Sequence, residues 1–299
     1  MNHSFYFLSL SVMACSNSSD PDLETLEHDG LTRTYSAHIP ASYDANTAVP
    51  MVFNFHGGCM DAGSQRDEMD MRNLADTENF ILVYPEGTSE SGDGSCLIWN
   101  SGPYVDQGDT KATADDLGFV RSLVEELSSQ YSVDNNRVYA TGFSNGGFMT
   151  YAVGCYLSDL FAAIAPIAAM MNDEALNQDS ANPCQPSHPM PVVHLHGTDD
   201  RDVRVDAGEQ AIEFWVGFNG TTNVTSETAE NGNQGTIEHF TYSGDGKTNV
   251  SVEYYKIEGG SHATFDDIDF NGSDSRELIW DYVSRYQLND TSDSPEDGD

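Results

Sequence analysis

Three residues far apart in the chain have the types and settings that nucleophilic acyl chemistry requires. Ser144 stands in Gly142-Phe-Ser-Asn-Gly-Gly147, a G-x-S-x-G pattern between a predicted strand and a predicted helix. A sharp strand-to-helix turn strains the serine backbone, which small residues two positions either side permit. It lifts the hydroxyl above the sheet at a helix N-terminus, where amides face developing negative charge. A tight turn carrying a solvated serine is the competing reading, and the strand before and helix after argue against it. A serine hydroxyl needs a base, and the base needs an orienting carboxylate. In the order Ser, acid, His, the first eligible acids are Asp199 and Asp200, in His-Gly-Thr-Asp-Asp after the strand Val192–Leu195. Position alone does not choose between them. The eligible histidine is His262, in Glu258-Gly-Gly-Ser-His262 after the strand Val250–Ile257. His194 and His196, in a strand and at its exit, read as structural.

The same chemistry needs donors for the oxyanion of a tetrahedral intermediate. The amide of Asn145, next after the nucleophile, is one. The other is expected from His56-Gly57-Gly58-Cys59, where glycines let the backbone approach a substrate closely. No metal or organic cofactor is required by this arrangement.

Such residues converge only if the elements between them set them at one edge of a sheet. Short β-branched or aromatic runs alternate with helical patterns along the chain. Strands are predicted at Arg33–Ile39, Met51–Phe55, Phe80–Tyr84, Arg137–Gly142, Phe161–Ala168, Val192–Leu195 and Val250–Ile257. Helices are predicted over Ser64–Thr77, from Asp115 with an apolar face of Phe119, Val120, Leu123, Val124, Leu127 and Tyr131, from Asn145, over Ala207–Phe218 and over Arg276–Tyr286. The alternation implies an α/β class, a doubly wound, mostly parallel sheet with helices on both faces. The polar stretch Gly220–Asn249 reads as a surface excursion with one strand near Ile237–Tyr242, so one domain suffices.

Composition narrows the partners. The 299 residues carry 12 Lys+Arg against 49 Asp+Glu, a formal net charge of −37. That surface repels nucleic-acid backbones and anionic lipid headgroups. It suits a salty medium, where counterions screen self-repulsion, and equally serves solubility alone. No run of 18 apolar residues is present, so no membrane-crossing helix is expected.

The first 14 residues end on Val-Met-Ala and read as an export signal, with Cys15 immediately after it. Val-Met-Ala-Cys resembles a bacterial lipobox, which makes Cys15 a lipidation candidate, although Met13 is large for its place and no Lys or Arg precedes it. Residues 15–29 then form a polar linker, 30–288 the folded domain and 289–299 an acidic, compositionally disordered tail. An exported protein, tethered to the cell envelope or secreted, is the expectation. Its membrane contact is limited to a lipid anchor, and it is taken as a monomer. Setting Cys15 aside leaves Cys59, Cys96, Cys155 and Cys184, an even set that favours two disulfides among three connectivities.

Longer motifs sharpen this. Val-Phe-Asn-Phe-His-Gly-Gly at 52–58, Tyr-Pro-Glu-Gly at 84–87, Ile-Trp-Asn at 98–100 and Asp-Asp-Leu-Gly-Phe at 115–119 form one part of a pattern. Arg-Val-Tyr-Ala-Thr-Gly-Phe-Ser-Asn-Gly-Gly at 137–147, His-Gly-Thr-Asp-Asp at 196–200 and Gly-Gly-Ser-His at 259–262 form the rest. Together they resemble the poly(3-hydroxybutyrate) depolymerase-like esterases, a group that includes feruloyl and acetylxylan esterases, over about residues 30–288. The resemblance implies a single-domain α/β-hydrolase. Its pattern His-Gly-Thr-x-Asp assigns the acid to Asp200, beside Ser144 and His262. In relatives a Cys often directly follows the early His-Gly; here Gly58 holds that place and Cys59 comes one later. Either amide could therefore be the second donor, and the expectation falls on Gly58.

The resemblance also implies the pairings Cys59–Cys96, across the pocket rim, and Cys155–Cys184, as in similar sequences. Cys59, Trp99 and Phe265 are expected at the substrate pocket; Ala263-Thr264-Phe265 replaces the aromatic-Pro motif that relatives carry after the histidine. Asp267, Asp269 and Asn271 open like an EF-hand calcium loop, but position twelve is Leu278, with Glu277 one early. A helix-capping loop is the reading preferred there, and no metal is expected.

The activity implied is carboxylic-ester hydrolysis by a serine esterase. A small ester or oligosaccharide ester is the expected substrate, feruloyl or acetyl esters of plant-type oligosaccharides first and hydroxybutyrate oligomers second. A serine peptidase is disfavoured because nothing resembles the propeller or cap such enzymes add. A catalytically idle surface protein that binds polysaccharide is disfavoured by the complete triad.

Overall fold

Runs that are apolar on both faces can only lie in the middle of a covered sheet, and four runs here are buried along their whole length: Val49–Phe55, Ile81–Pro85, Ala163–Ile167 and Val192–Gly197. The computed structural model describes residues 23–89, 94–102, 114–232, 235–244 and 249–288. The expected export signal, Cys15 and the tail from 289 lie outside them.

In chain order the strands are β1 (Leu23–His28), β2 (Leu31–His38), β3 (Val49–Phe55), β4 (Ile81–Pro85), β5 (Thr88–Ser89), β6 (Leu97–Ile98), β7 (Val133–Phe143), β8 (Ala163–Ile167), β9 (Val192–Gly197), β10 (Asn223–Glu230), β11 (Thr236–Ser243) and β12 (Ser251–Ile257). The helices are α1 (Ala62–Glu68), α2 (Arg72–Glu78), α3 (Asp116–Gln130), α4 (Asn145–Tyr156), α5 (Asp173–Leu176), α6 (Val205–Asn219) and α7 (Ser275–Val283). One sheet of ten strands runs β1-β2-β4-β3-β7-β8-β9-β12-β11-β10, and β5 pairs with β6 apart from it. Its centre, β4 to β12, is parallel. Antiparallel pairs close both edges.

Helices cover both faces. Phe119, Leu123 and Leu127 of α3, Met149 and Val153 of α4, and Ala211 and Trp215 of α6 pack on one face with Phe53, Phe55 and Ile164. Ala75 of α2 and Leu278, Ile279 and Tyr282 of α7 pack on the other with Leu82, Tyr139 and Leu195. Crossovers between parallel strands put every strand-to-loop exit of the centre at the same edge, which is where such sheets bind ligands.

Three differences from the sequence reading have physical causes. Leu23–His28, expected as linker, pairs with β2 as a strand. The single helix expected over Ser64–Thr77 is two, because Met69 leaves helical geometry (φ −140°, ψ 67°) and buries, and Asp70 then accepts from the Arg72 amide. Asn223–Glu230 forms β10, whose exposed, polar residues carry no apolar period to reveal it.

Candidate active site

The turn from β7 into α4 is tight because its glycines let other backbone come close. A Cβ on Gly146 would collide with the carbonyl of Phe55. Ser144 sits at the head of α4 with φ 53° and ψ −119°, a conformation that costs a non-glycine residue on the order of 1–3 kcal/mol. Its amide donates to the Ile167 carbonyl at 3.0 Å, so the strain is held by β8 rather than relaxed. The side chain is partly exposed at the edge where the parallel strands end.

Asp200 and His262 are brought together by their two loops. The Thr198 amide donates to Ile257 O and the Asp199 amide to Gly260 O, both at 2.9 Å, and the Gly259 amide donates to Thr198 Oγ1 at 2.8 Å. So clamped, His262 Nδ1 donates to Asp200 Oδ2 at 2.7 Å. Asp200 Oδ1 accepts from the amides of Asp202 and Val203, each at 2.9 Å. The Asp200 carboxylate is fully buried and Asp199 is exposed. Only Asp200 therefore combines burial, fixed orientation and a histidine. With Nδ1 protonated and donating, Nε2 of His262 is the nitrogen left to take a proton. The imidazole packs on the ring of Phe143, centroids 4.7 Å apart, directly beside Ser144. The Ser144 hydroxyl makes no hydrogen bond to it.

The loop after β3 faces the same turn. A Cβ built on Gly58 would stand 3.6 Å from Cβ of Asn145. The Cys59 amide is taken by the Leu97 carbonyl at 2.8 Å, and among the described residues nothing accepts from that of Gly58. The loop rests on His56, part of the glycine motif but with no role for its ring legible there. His56 Nδ1 donates to Gly57 O at 2.7 Å and Nε2 accepts from the Gly87 amide at 2.9 Å. That arrangement suits only the neutral ring, and burial pushes its pKa down to about 4.

Trp99, expected at the pocket, is instead 2% exposed. Its indole N–H donates to His56 O at 3.0 Å, its backbone amide donates to Asn145 Oδ1 at 2.7 Å, and its ring stands edge-on to Phe55. It joins the loop after β3 to the head of α4, because a ring that large in an apolar setting buries where its N–H finds a carbonyl. Phe265 is also buried, and it lines a cavity of about 220 Å³ with Asn231, Ser261 and Ala263, the last two flanking His262. Cys59 is bonded to Cys96, and Cys155 of α4 to Cys184.

The loop of the calcium candidates Asp267, Asp269 and Asn271 runs into the cap of α7. Asp269 turns its carboxylate to the Gly272 amide, while Asp274 caps α7 and Glu277 completes the capping box. The one group of His, Cys, Asp and Glu ligand atoms that converges among the described residues is Asp200, Asp202 and His262. Two of these three are already committed to each other. No helix among the described residues is long and apolar enough to cross a membrane.

Comparison with known proteins finds esterases and depolymerases. A family model described as "Esterase PHB depolymerase" matches residues 33–183. Feruloyl esterase B of Piromyces equi is 26% identical over 265 residues, covering 84% of this chain and 44% of the relative. Poly(3-hydroxyalkanoate) depolymerase C of Paucimonas lemoignei is 26% identical over 251 residues, covering 76% of this chain and 57% of the relative. The chain thus spans about half the length of these curated relatives. Among solved structures, the acetyl xylan esterase of Aspergillus awamori superposes with a TM-score of 0.62 at 15% identity, covering 88% of this chain and 98% of that one. The shared fold is the α/β-hydrolase fold.

Proposed function

The chain belongs to the Esterase PHB depolymerase family, and from that premise we propose that it hydrolyses carboxylic esters with Ser144 as nucleophile, His262 as base and Asp200 as its orienting acid. The observation that carries the reading is the 2.7 Å bond from His262 Nδ1 to a fully buried Asp200 carboxylate, beside a strained serine turn.

Each step follows from what surrounds the atoms. His262 Nε2 takes the Ser144 proton as Oγ attacks the ester carbonyl, and Asp200 stabilises the imidazolium that forms. The amides of Asn145 and Gly58 face the oxyanion, worth about 2.7–4 kcal/mol for each donor in enzymes of this kind. His262 then protonates the departing alkoxide, and water releases the acyl group by the same steps reversed. Feruloyl or acetyl esters of plant-type oligosaccharides are the proposed substrates, supported by the feruloyl esterase relative. Hydroxyalkanoate oligomers are the second reading, favoured by a depolymerase of equal identity. A panel of ferulate, acetyl-xylooligosaccharide and 3-hydroxybutyrate oligomers separates them.

We further propose that residues 1–14 direct export, that Cys15 carries a lipid anchor, and that the folded part, which β1 extends back to Leu23, acts as one monomeric domain. Mass spectrometry of the mature N-terminus tests the first two.

For the reaction, Ser144→Ala should lower p-nitrophenyl acetate turnover by roughly 10³-fold or more with the fold intact. Fluorophosphonate should label Ser144 in the parent protein. Retained turnover in the variant refutes the assignment, and a parent inert to the label returns the binding-protein reading.

A further inference from the structure

Behind Asp200 lies a row of buried polar side chains that the reaction does not use. Tyr151 of α4 and His194 and His196 of β9 are each no more than 1% exposed. Tyr151 Oη stands 2.8 Å from His194 Nδ1, and His194 Nε2 stands 2.9 Å from His196 Nδ1. His196 Nε2 is 2.9 Å from Val203 O and 3.3 Å from Asp200 Oδ2, the same oxygen that takes His262.

The direction of every bond in this row is fixed. Val203 O can only accept, so His196 Nε2 carries the proton. Burial lowers the pKa of both rings and keeps them neutral. His196 Nδ1 is therefore an acceptor, His194 Nε2 a donor, and His194 Nδ1 an acceptor that only the Tyr151 hydroxyl can serve. Reversal at any point would aim a lone pair at Val203 O and at Asp200. The row also has built space. A Cβ on Gly208 of α6 would stand 2.5 Å from His196 Nδ1 and 3.0 Å from His194 Nε2.

We propose that Tyr151, His194 and His196 form a one-way hydrogen-bond relay that holds Asp200 in register with His262, making His196 a positioning residue. It rests on the reading of Ser144, Asp200 and His262 as the reacting set. The relay acts twice on the acid. Its last N–H anchors the Val203 carbonyl, whose own residue donates its amide to Asp200 Oδ1. The same N–H places positive charge near Oδ2, so it moderates the field that Asp200 exerts on His262. The other charged or titratable groups facing His196 are His262 on the adjoining loop and Glu209 on α6.

In the full-length protein, His196→Leu should reduce kcat roughly tenfold with KM within about twofold, since a hydrogen bond near a charge is lost at a reacting pair. The acid limb of the kcat/KM profile should move to higher pH, because Asp200 then favours protonated His262 more strongly. The downfield proton resonance of His262 Nδ1 should shift. His196→Gln, which keeps an N–H near the Nε2 position, should restore most of the rate. Tyr151→Phe removes one remote hydroxyl and should cost about threefold in kcat with the same resonance displaced. It serves as the reporter if His196→Leu does not fold. Unchanged kcat, acid limb and resonance in a folded His196→Leu overturn the relay, as does an unmoved resonance in Tyr151→Phe. Ser144→Ala run alongside keeps the two readings apart: turnover retained there defeats the triad, while an inactive Ser144→Ala beside an unaltered His196→Leu defeats the relay alone.

Discussion

The backbone amide of Cys59 donates to the carbonyl of Leu97 at 2.8 Å, and that bond separates two residues that sequence could not. With the Cys59 amide committed, Gly58 is the one of these two whose amide is left for the proposed oxyanion role. The Cys59–Cys96 disulfide pins the same two segments one residue away. It braces the proposed donor loop, which His56 and Trp99 also support.

The two disulfides should therefore separate in their effects. Cys59→Ser/Cys96→Ser should lower kcat by about threefold to tenfold, since a displaced oxyanion donor is weakened rather than removed. Cys155→Ser/Cys184→Ser opens a bond near the C-terminal end of α4, away from Ser144 at its head. It should lower unfolding free energy by about 2–4 kcal/mol and leave kcat at 25 °C within about twofold. Urea unfolding and steady-state kinetics on both double variants decide. Equal kinetic losses in the two would contradict the assigned roles.

Stability should fall as pH drops from about 6.5 toward 4, through the buried histidines. His56 has its pKa lowered from 6.5 to about 4 by burial, and its Nε2 lone pair is used by the Gly87 amide. His194 and His196 are lowered in the same direction. Below 6.5 the unfolded chain takes up protons that the folded one refuses, so the contribution is complete above 6.5 and gone by about 4. His56 alone contributes roughly 3 kcal/mol, at a slope of about 1.4 kcal/mol per pH unit inside that window. Asp61, Asp70 and Asp115, whose pKa values are lowered below 3.8, act only at more acid pH. Urea unfolding at pH 7.5 and 5.0, in about 0.5 M NaCl to screen net charge, should show the drop. A flat profile would mean these rings are not held neutral.

What sequence could deliver tracks what chemistry makes local. The serine turn, the loops of Asp200 and His262 and the glycine loop are short motifs, and the structure sets each at the edge where the parallel strands end. The apolar runs of β3, β4, β8 and β9 revealed the sheet because both faces are buried. β10 and β1 stayed hidden because edge strands are half-solvated and lack that signal. Trp99, expected at the pocket, lies buried for a related reason. Its burial depends on the carbonyl of His56, 43 positions away in the chain, and no local pattern carries that distance. The relay left a trace, since His194 and His196 are two polar residues at i and i+2 in an otherwise apolar strand. Only the fold reveals that Tyr151 and Gly208 face them.

Added salt should stabilise this protein, although salt weakens ion pairs. Cations such as Arg121 and Lys256 already pair with acids on partly exposed sites, and each such pair contributes only about 0–1 kcal/mol. Twelve Lys+Arg cannot offset 49 Asp+Glu, so the folded chain compresses a net charge of −37 that the unfolded chain spreads out. Screening relieves that repulsion once the Debye length, about 30 Å at 0.01 M, shrinks toward about 4 Å near 0.5 M. The many-body repulsion outweighs the loss of a few surface pairs. Thermal unfolding at pH 7.5 should show Tm rising by at least about 3 °C between about 10 mM and 0.5 M NaCl, on a scale where 1 kcal/mol moves Tm by about 2–4 °C. An equal rise in KCl identifies screening rather than specific sodium binding. A constant or falling Tm would mean that the surface pairs, and not the net charge, govern how this fold responds to its medium.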